Sequence, residues 1–225
     1  MEADDFSILT LSLRVAFTST LGILPFGVAL AWLLARWRGP GKVAVESVLT
    51  LPLVLPPTAI GMLLLALLAK NGALGRVLET LGVELVFTWK AAALAAAVMS
   101  FPLLVRSART AFEEIDPQLL GVARTLGDGP LRVFYRVALP LAWRGIFAGT
   151  LLSFCRALGE FGATILVAGN IPGRTQTLAL AIFQRSQTGR DTDALRLVGL
   201  TSFIALVAVY ATELWGRRRS ETFAR

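Results

Sequence analysis

Five long apolar segments, separated by shorter polar stretches, dominate the pattern of residues along this chain. A helix needs about 20 predominantly apolar residues to cross the hydrocarbon core of a bilayer, and each segment approaches or exceeds that length. The pattern therefore predicts an all-α bundle of about five membrane-spanning helices, and we interpret the whole chain, 1–225, as one transmembrane domain. The predicted spans are 8–35, 46–69, 87–105, 141–168 and 196–216.

The composition favours a bilayer rather than water as the surrounding solvent. Of the 225 residues, 55% are hydrophobic and 16% are charged, and the mean hydropathy is +0.67, whereas a soluble domain carries about 25% charged residues. The chain contains no histidine, and its single cysteine, Cys155, lies within an apolar segment. We therefore expect no catalytic residue, no metal site and no disulfide within the chain.

The distribution of basic residues predicts an orientation in the membrane. If the N-terminus faces outward, the stretches 36–42, 106–144 and 217–225 are cytoplasmic and hold thirteen Lys and Arg residues, against seven in the outer loops. Because cytoplasmic loops are enriched in basic residues, we predict an outer N-terminus and a cytoplasmic C-terminus. The acidic start of the chain, with Glu2, Asp4 and Asp5, is unlike a cleaved signal peptide. No nucleic-acid motif accompanies the positive charge, so no nucleic-acid partner is expected.

A polar stretch, 106–140, joins the third and fourth predicted spans. Its apolar residues recur at helical spacing on both sides of Gly127 and Gly129-Pro130, which predicts two short helices joined by a glycine turn beneath the membrane. Pro140 then suits the first turn of the fourth span, where its missing N–H is harmless. An ordinary amphipathic hairpin on the membrane surface is the alternative interpretation.

The residues of this stretch resemble the cytoplasmic motif of ABC importer permeases. That motif reads Glu-Ala-Ala, three residues, Gly, nine residues, and then Ile-x-Leu-Pro. Gly121 stands here where the family has the glutamate, and Val122 where it has the first alanine. The resemblance implies that the loop 106–140 carries the coupling helix, which sits in a groove of an ATPase subunit. The coupling residues that it implies are Ala123, Arg124, Thr125, Leu126, Gly127, Leu139 and Pro140.

A second set of motifs, spread over nearly the whole chain, is similar to those of molybdate permeases. It comprises 51–57, 98–103, 156–164 and 170–177. The resemblance implies the type I ABC importer permease fold and the import of molybdate across a bacterial inner membrane. Sulfate and thiosulfate permeases share the general plan, so sulfate, thiosulfate or tungstate transport is the alternative within the family. A non-transporting membrane protein is the more distant alternative.

The resemblance also implies an assembly around this chain. A second copy would complete the pore, two cytoplasmic ATPase subunits would bind ATP and Mg²⁺, and an extracytoplasmic binding protein would deliver the anion. The chain itself would need no cofactor, and membrane lipid would be its remaining partner. Its own sequence agrees, because the stretch 39–42 lacks the first glycine of a P-loop at the required distance and the Ser or Thr that follows the lysine.

Two groups of residues are candidates for the translocation path. Pro52, Pro56 and Pro57 fall within six positions of the second span and interrupt its helical hydrogen bonding, which predicts irregular backbone lining a pore. Arg156 and Glu160 are four residues apart in the fourth span, so they share one helix face and avoid lipid. They either line or gate the anion path or form an internal ion pair, and both interpretations stay open. Thr164 is a further candidate for the path.

Overall fold

The computed structural model describes the backbone of residues 3–220 and the side chains of residues 4–210. Glu2 and the basic residues of 217–225, which contributed to the predicted orientation, therefore lie outside the described side chains. Every regular element of the described backbone is helical. The elements are α1 Ala3–Arg36, α2 Lys42–Val54, α3 Pro57–Leu68, α4 Ala73–Thr80, α5 Trp89–Glu113, α6 Pro117–Thr125, α7 Pro130–Val133, the π-helical segment Phe134–Ala138, α8 Leu139–Leu158, α9 Gly162–Val167, α10 Leu178–Gln187 and α11 Asp191–Ser220.

Four continuous helical stretches are long and apolar enough to cross a membrane. They are α1, α5, the run from Pro130 to Leu158, and α11. The pair formed by α2 and α3 passes the same test as a unit, but its two halves are bent by 108°. The predicted all-α membrane bundle of about five spans is therefore confirmed.

Two of the predicted spans, 46–69 and 141–168, are interrupted. The first ends as a helix at Val54 and restarts at Pro57, because a residue that precedes a proline is disfavoured in the helical region and Pro57 is suited to a first helical position. Pro52 is tolerated within α2. The second interruption follows Gly159, which ends α8, and α9 begins three residues later at Gly162.

The stretch 106–140, which is predicted to be cytoplasmic, also differs from its predicted organisation. α5 continues to Glu113, well beyond the predicted end of the third span at 105. Asp116 then caps α6, since its carboxylate accepts a hydrogen bond of 2.8 Å from the Gln118 N–H. Gly127 makes the predicted turn at a φ of +91°, which glycine adopts without strain.

The second helix of this stretch is not separate from the fourth span. It begins at Pro130 and runs through the π-helical segment into α8, so Pro140 lies inside a continuous helix rather than at its first turn. The Leu139 N–H donates to the carbonyl of Phe134, five residues earlier. We attribute this wider turn to Pro140, which lacks an N–H and whose ring crowds the carbonyl of the preceding turn.

α5 is the centre of the bundle and packs against α1 on one side and α8 on the other. Its face is rich in small buried residues, which allow helix axes to approach closely in a membrane. A Cβ added at Gly149 of α8 would lie only 2.8 Å from the Cβ of Ser107. The Ser107 hydroxyl donates to the carbonyl of Gly145 at 2.8 Å, and the Ser153 hydroxyl donates to that of Ser100 at 3.1 Å. Close packing and buried hydrogen bonds thus join α5 to α8.

The close approach of α5 and α8 predicts the effect of one methyl group. Gly149→Ala should lower the midpoint of thermal unfolding in detergent, because overpacking at a tight contact costs about 1–3 kcal/mol. Gly22→Ala in α1 is the matched control, since a Cβ there meets nothing within 4 Å. The control should match or slightly exceed the wild type, as alanine favours a helix. Equal midpoints for the two variants would contradict the assigned contact.

Candidate translocation site

The two helix interruptions lie against each other. A Cβ added at Gly162, at the start of α9, would lie 2.8 Å from the Cβ of Pro57, at the start of α3. Further along, a Cβ at Gly61 would lie 2.8 Å from the Cα of Ala163. Only glycine permits so close an approach of one backbone to another. The second and fourth spans are therefore in contact where both lose their regular helical hydrogen bonding.

The predicted path residues differ in how much surface they present at this contact. Pro56 and Pro57 are exposed, whereas Pro52, within α2, is half-buried. Arg156 is 28% exposed at its side chain. Thr164 is buried inside α9 at 1% exposure. The geometry brings Pro57 and the segment after Gly159 together, and the roles of all these residues in translocation stay predictions.

Glu160 makes two contacts that stabilise the interruption of the fourth span. One carboxylate oxygen, Oε1, accepts a hydrogen bond of 2.8 Å from the Ala163 N–H, in the first turn of α9. The other, Oε2, lies 2.6 Å from the Arg156 guanidinium, close but without hydrogen-bond alignment. The Glu160 side chain is 1% exposed. A buried carboxylate thus caps one helix and neutralises a cation on the preceding one.

The capping role of Glu160 was not predicted, because a continuous fourth span leaves no helix end to cap. The sequence does contain a signal for it. Gly159 and Gly162 flank the pair Glu160-Phe161 within an apolar segment, and glycine is common just after a helix end. An acidic side chain just before a new helix is typical of an N-terminus.

A cluster of charges between α2 and α5 was also not predicted from the sequence. Arg109 forms an ion pair with Glu46, and Lys42 Nζ lies 3.3 Å from Glu113 Oε1. These contacts join residues more than sixty positions apart, so no local pattern indicates them. The cluster borders a cavity of about 250 Å³ that Thr50 and Arg106 also line. It joins the start of α2 to the last turns of α5, at the same end of the bundle as the polar stretch 106–140.

The residues implied in coupling are placed mainly at the end of α6 and on the turn that follows it. Arg124 and Thr125 of α6 and Leu126 and Gly127 of the turn are exposed, whereas Ala123 of α6 is buried. Leu139 and Pro140 lie inside the following continuous helix, away from the turn. Several large apolar side chains around the turn are exposed, namely Leu119, Val122, Leu126, Leu131 and Tyr135. An apolar surface of this kind is typical of a protein contact.

A helical membrane bundle with interrupted spans and an exposed glycine turn between α6 and α7 has the architecture of a type I ABC importer permease. The chain belongs to the family of binding-protein-dependent transport system inner membrane components, which its sequence matches over residues 23–213. The resemblance inferred from its motifs is confirmed, and the protein is an inner-membrane transport component with several apolar helices.

Individual relatives and a solved structure agree with this assignment. The chain is 46% identical over 217 residues to the molybdenum transport system permease protein ModB of Escherichia coli K12, covering 96% of this chain and 95% of that protein. It is 38% identical over 176 residues to the sulfate transport system permease protein CysT of Salmonella typhimurium, covering 78% of this chain and 64% of that protein. A crystal structure of a bacterial ABC transporter involved in the import of the acidic polysaccharide alginate shares the fold, with a TM-score of 0.78 at 18% identity over 97% of this chain and 80% of that one.

The contacts of Glu160 predict that replacing Glu160 alone destabilises the protein more than replacing Glu160 and Arg156 together. Glu160→Gln should lower the thermal unfolding midpoint, because it leaves a partly buried guanidinium unpaired at a cost of about 1–3 kcal/mol. Adding Arg156→Gln should recover much of this loss, since both charges are then absent. The measurement is thermal unfolding of the wild type, the single variant and the double variant in one detergent. A Glu160→Gln protein as stable as the wild type would show that the pair contributes nothing to the fold.

Proposed function

We propose that this chain is the permease subunit of an ATP-driven importer that carries molybdate across a bacterial inner membrane. The observation that carries the proposal is the 46% identity to a molybdenum permease over nearly the full length of both proteins. The match to a sulfate permease is weaker and shorter. Sulfate, thiosulfate and tungstate remain the alternative cargoes, since all are oxyanions of similar chemistry.

The chemistry of the interrupted spans suits weak and transient contact with an anion. Arg156 is partly exposed, and its charge is largely compensated by Glu160. A pore must bind its ion weakly enough to release it, and a fully unpaired arginine would retain a dianion more strongly. Irregular backbone at membrane depth is tolerated where it is buried in protein or lines a water-filled path. The exposed Pro56 and Pro57 suit the second of these environments.

A second copy of the chain completes the pore in this proposal. The exposed surface of α2 and α3 includes Val54, Met62 and Leu63, each more than half exposed, and it continues from the exposed prolines. One bundle of about five spans forms only one wall of a channel. A homodimer that covers this surface would enclose the two interruptions between its subunits.

The proposed orientation has the N-terminus outside and the C-terminus in the cytoplasm. The Asp5–Arg185 and Arg14–Trp89 contacts group the start of α1 with the start of α5 and with α10 at one end. The Lys42–Glu113 contact groups the start of α2 with the end of α5 at the other. This second end carries the basic stretches 36–42 and 106–144 and is the cytoplasmic one in our proposal.

In this proposal the turn between α6 and α7 transmits the conformational change of the ATPase subunits to the pore. We assign its exposed apolar residues to the contact with two cytoplasmic ATPase subunits, which bind ATP and Mg²⁺. An extracytoplasmic binding protein delivers the anion to the outer mouth. ATP binding then moves the turns of the two permeases together, and the continuous helix from Pro130 to Leu158 carries that motion from the turn into the bundle. The pore alternates between outward and inward access as its two states interconvert.

The cargo is tested by uptake into vesicles that contain the permease, its ATPase and its binding protein. Labelled molybdate should accumulate only with ATP, and a large excess of unlabelled sulfate should leave most of the uptake intact. Unlabelled tungstate, which is closer to molybdate in size, provides a second competitor. Complete suppression by sulfate would contradict the molybdate assignment while leaving the importer intact.

The coupling role is tested at the glycine turn. Gly127→Ala should reduce both the ATPase that co-purifies and the transport per ATP hydrolysed, because a side chain at a φ of +91° is strained by about 1–3 kcal/mol. Gly121→Ala is the matched control, since it lies on the adjoining α6 and its added Cβ meets nothing within 4 Å. If the two variants behave alike, the turn is not the contact with the ATPase.

A further inference from the structure

A cavity at the N-terminal end of the bundle has no role in the proposed transport cycle. Its volume is about 390 Å³, and it lies between α1, the start of α5 and the loop that precedes α10. Each of these elements contributes one basic residue to its lining: Arg14, Lys90 and Arg174 respectively. Trp89 and Glu84 line it as well.

The charges around this cavity are unbalanced. Glu84 is its acidic residue, and that carboxylate lies 3.6 Å from Lys70, outside the cavity. Within the described part of the chain, Arg14, Lys90 and Arg174 form no ion pair. The Arg14 guanidinium lies 3.8 Å from the centre of the Trp89 ring, which holds it in place without neutralising it. Three convergent cations with no carboxylate partner favour an anionic occupant.

The surface next to the cavity indicates what kind of anion this is. Phe17 and Leu21 follow Arg14 by three and seven residues, so the three share one face of α1. Both apolar side chains are more than half exposed. Seven residues of helix correspond to about 10 Å, so the cationic cavity continues into an apolar stripe within the membrane-spanning helix. A small free anion would use the charges and leave this stripe uncovered, whereas an amphipathic anion would cover both.

We propose that this cavity binds the phosphate head group of an anionic phospholipid, with one acyl chain lying along Phe17 and Leu21. Trp and basic residues at the end of a membrane helix are typical of the head-group level of a bilayer. The lipid would join three elements whose cations otherwise repel one another, and so stabilise this end of the bundle. In the proposed orientation it belongs to the outer leaflet, but the site requires neither that orientation nor any particular cargo.

The test measures lipid binding by the full-length permease, purified with its ATPase in detergent. Fluorescent phosphatidylglycerol is titrated in mixed micelles, with phosphatidylcholine of identical acyl chains as the neutral comparison. The triple variant Arg14→Gln, Lys90→Gln, Arg174→Gln should bind phosphatidylglycerol roughly 100-fold more weakly than the wild type, given the usual contribution of each basic residue to anionic-lipid binding. Binding of phosphatidylcholine should change little.

Matched variants separate the site from general effects of charge. Arg76→Gln removes one exposed positive charge from α4, outside the cavity, and should bind phosphatidylglycerol like the wild type. Lys90→Gln and Arg174→Gln alone change exposed side chains and keep the fold even if the triple variant does not. Each should weaken phosphatidylglycerol binding about fivefold.

Two results would overturn the proposal. In the first, neither single variant weakens phosphatidylglycerol binding more than Arg76→Gln does. In the second, inorganic phosphate or molybdate at the same concentration displaces the lipid fully, which would make the cavity a site for free oxyanions. Because the measurement contains no transport step, either failure leaves the proposed function untouched.

Discussion

The structure depends on one constraint: inside a bilayer every backbone N–H and C=O group must find a partner within the protein or in a water-filled path. Most of the chain meets it with continuous helices, but the second and fourth spans do not. Their interruptions lie against each other, with Pro57 in contact with the position of Gly162 and the backbone of Ala163 against Gly61. The buried carboxylate of Glu160 accepts a hydrogen bond from one N–H that the interruption leaves free. The breaks in the two spans are thus concentrated at one place, which the proposed homodimer would enclose.

The two adjacent helix breaks determine which groups the candidate site presents. Irregular backbone and a largely compensated arginine offer polar contacts without a strong fixed charge, and in the proposed function this would suit passage of an anion rather than its retention. Of the two alternatives for Arg156 and Glu160, the structure contains the ion pair: internal contacts occupy the Glu160 carboxylate, while the Arg156 side chain keeps 28% of its surface exposed. A role of Arg156 in the anion path stays a prediction.

The two ends of the bundle are built differently, and each suits its surroundings. At one end exposed apolar residues surround the turn at Gly127, and the helix that follows the turn continues without a break into the bundle, as the proposed contact with an ATPase requires. At the other end buried polar contacts fasten α10 to α1: the Ser12 hydroxyl accepts from the Leu178 N–H at 2.7 Å, and Arg185 pairs with Asp5 at 2.6 Å. The unpaired cations around Trp89 lie at this end, where a head group can neutralise them.

The sequence by itself determined the all-α class and the presence of about five apolar spans, because span length and hydrophobicity are local properties of the chain. It also located the turn at Gly127 and the irregular backbone near Pro56 and Pro57, since glycine and proline act on the backbone directly. Only the folded structure decided that the fourth span is broken at Gly159 and that the helix beginning at Pro130 continues past Pro140. It also decided that Glu160 caps α9, which Gly159 and Gly162 only indicate, because the Ala163 N–H is free to donate to this partner once the span is broken. Each outcome depends on hydrogen bonds that only the folded chain makes. The contacts of Lys42 with Glu113 and of Arg14 with Trp89 have the same origin: hydrophobic periodicity indicates that helices pack together, but not which polar residues their packing brings into contact.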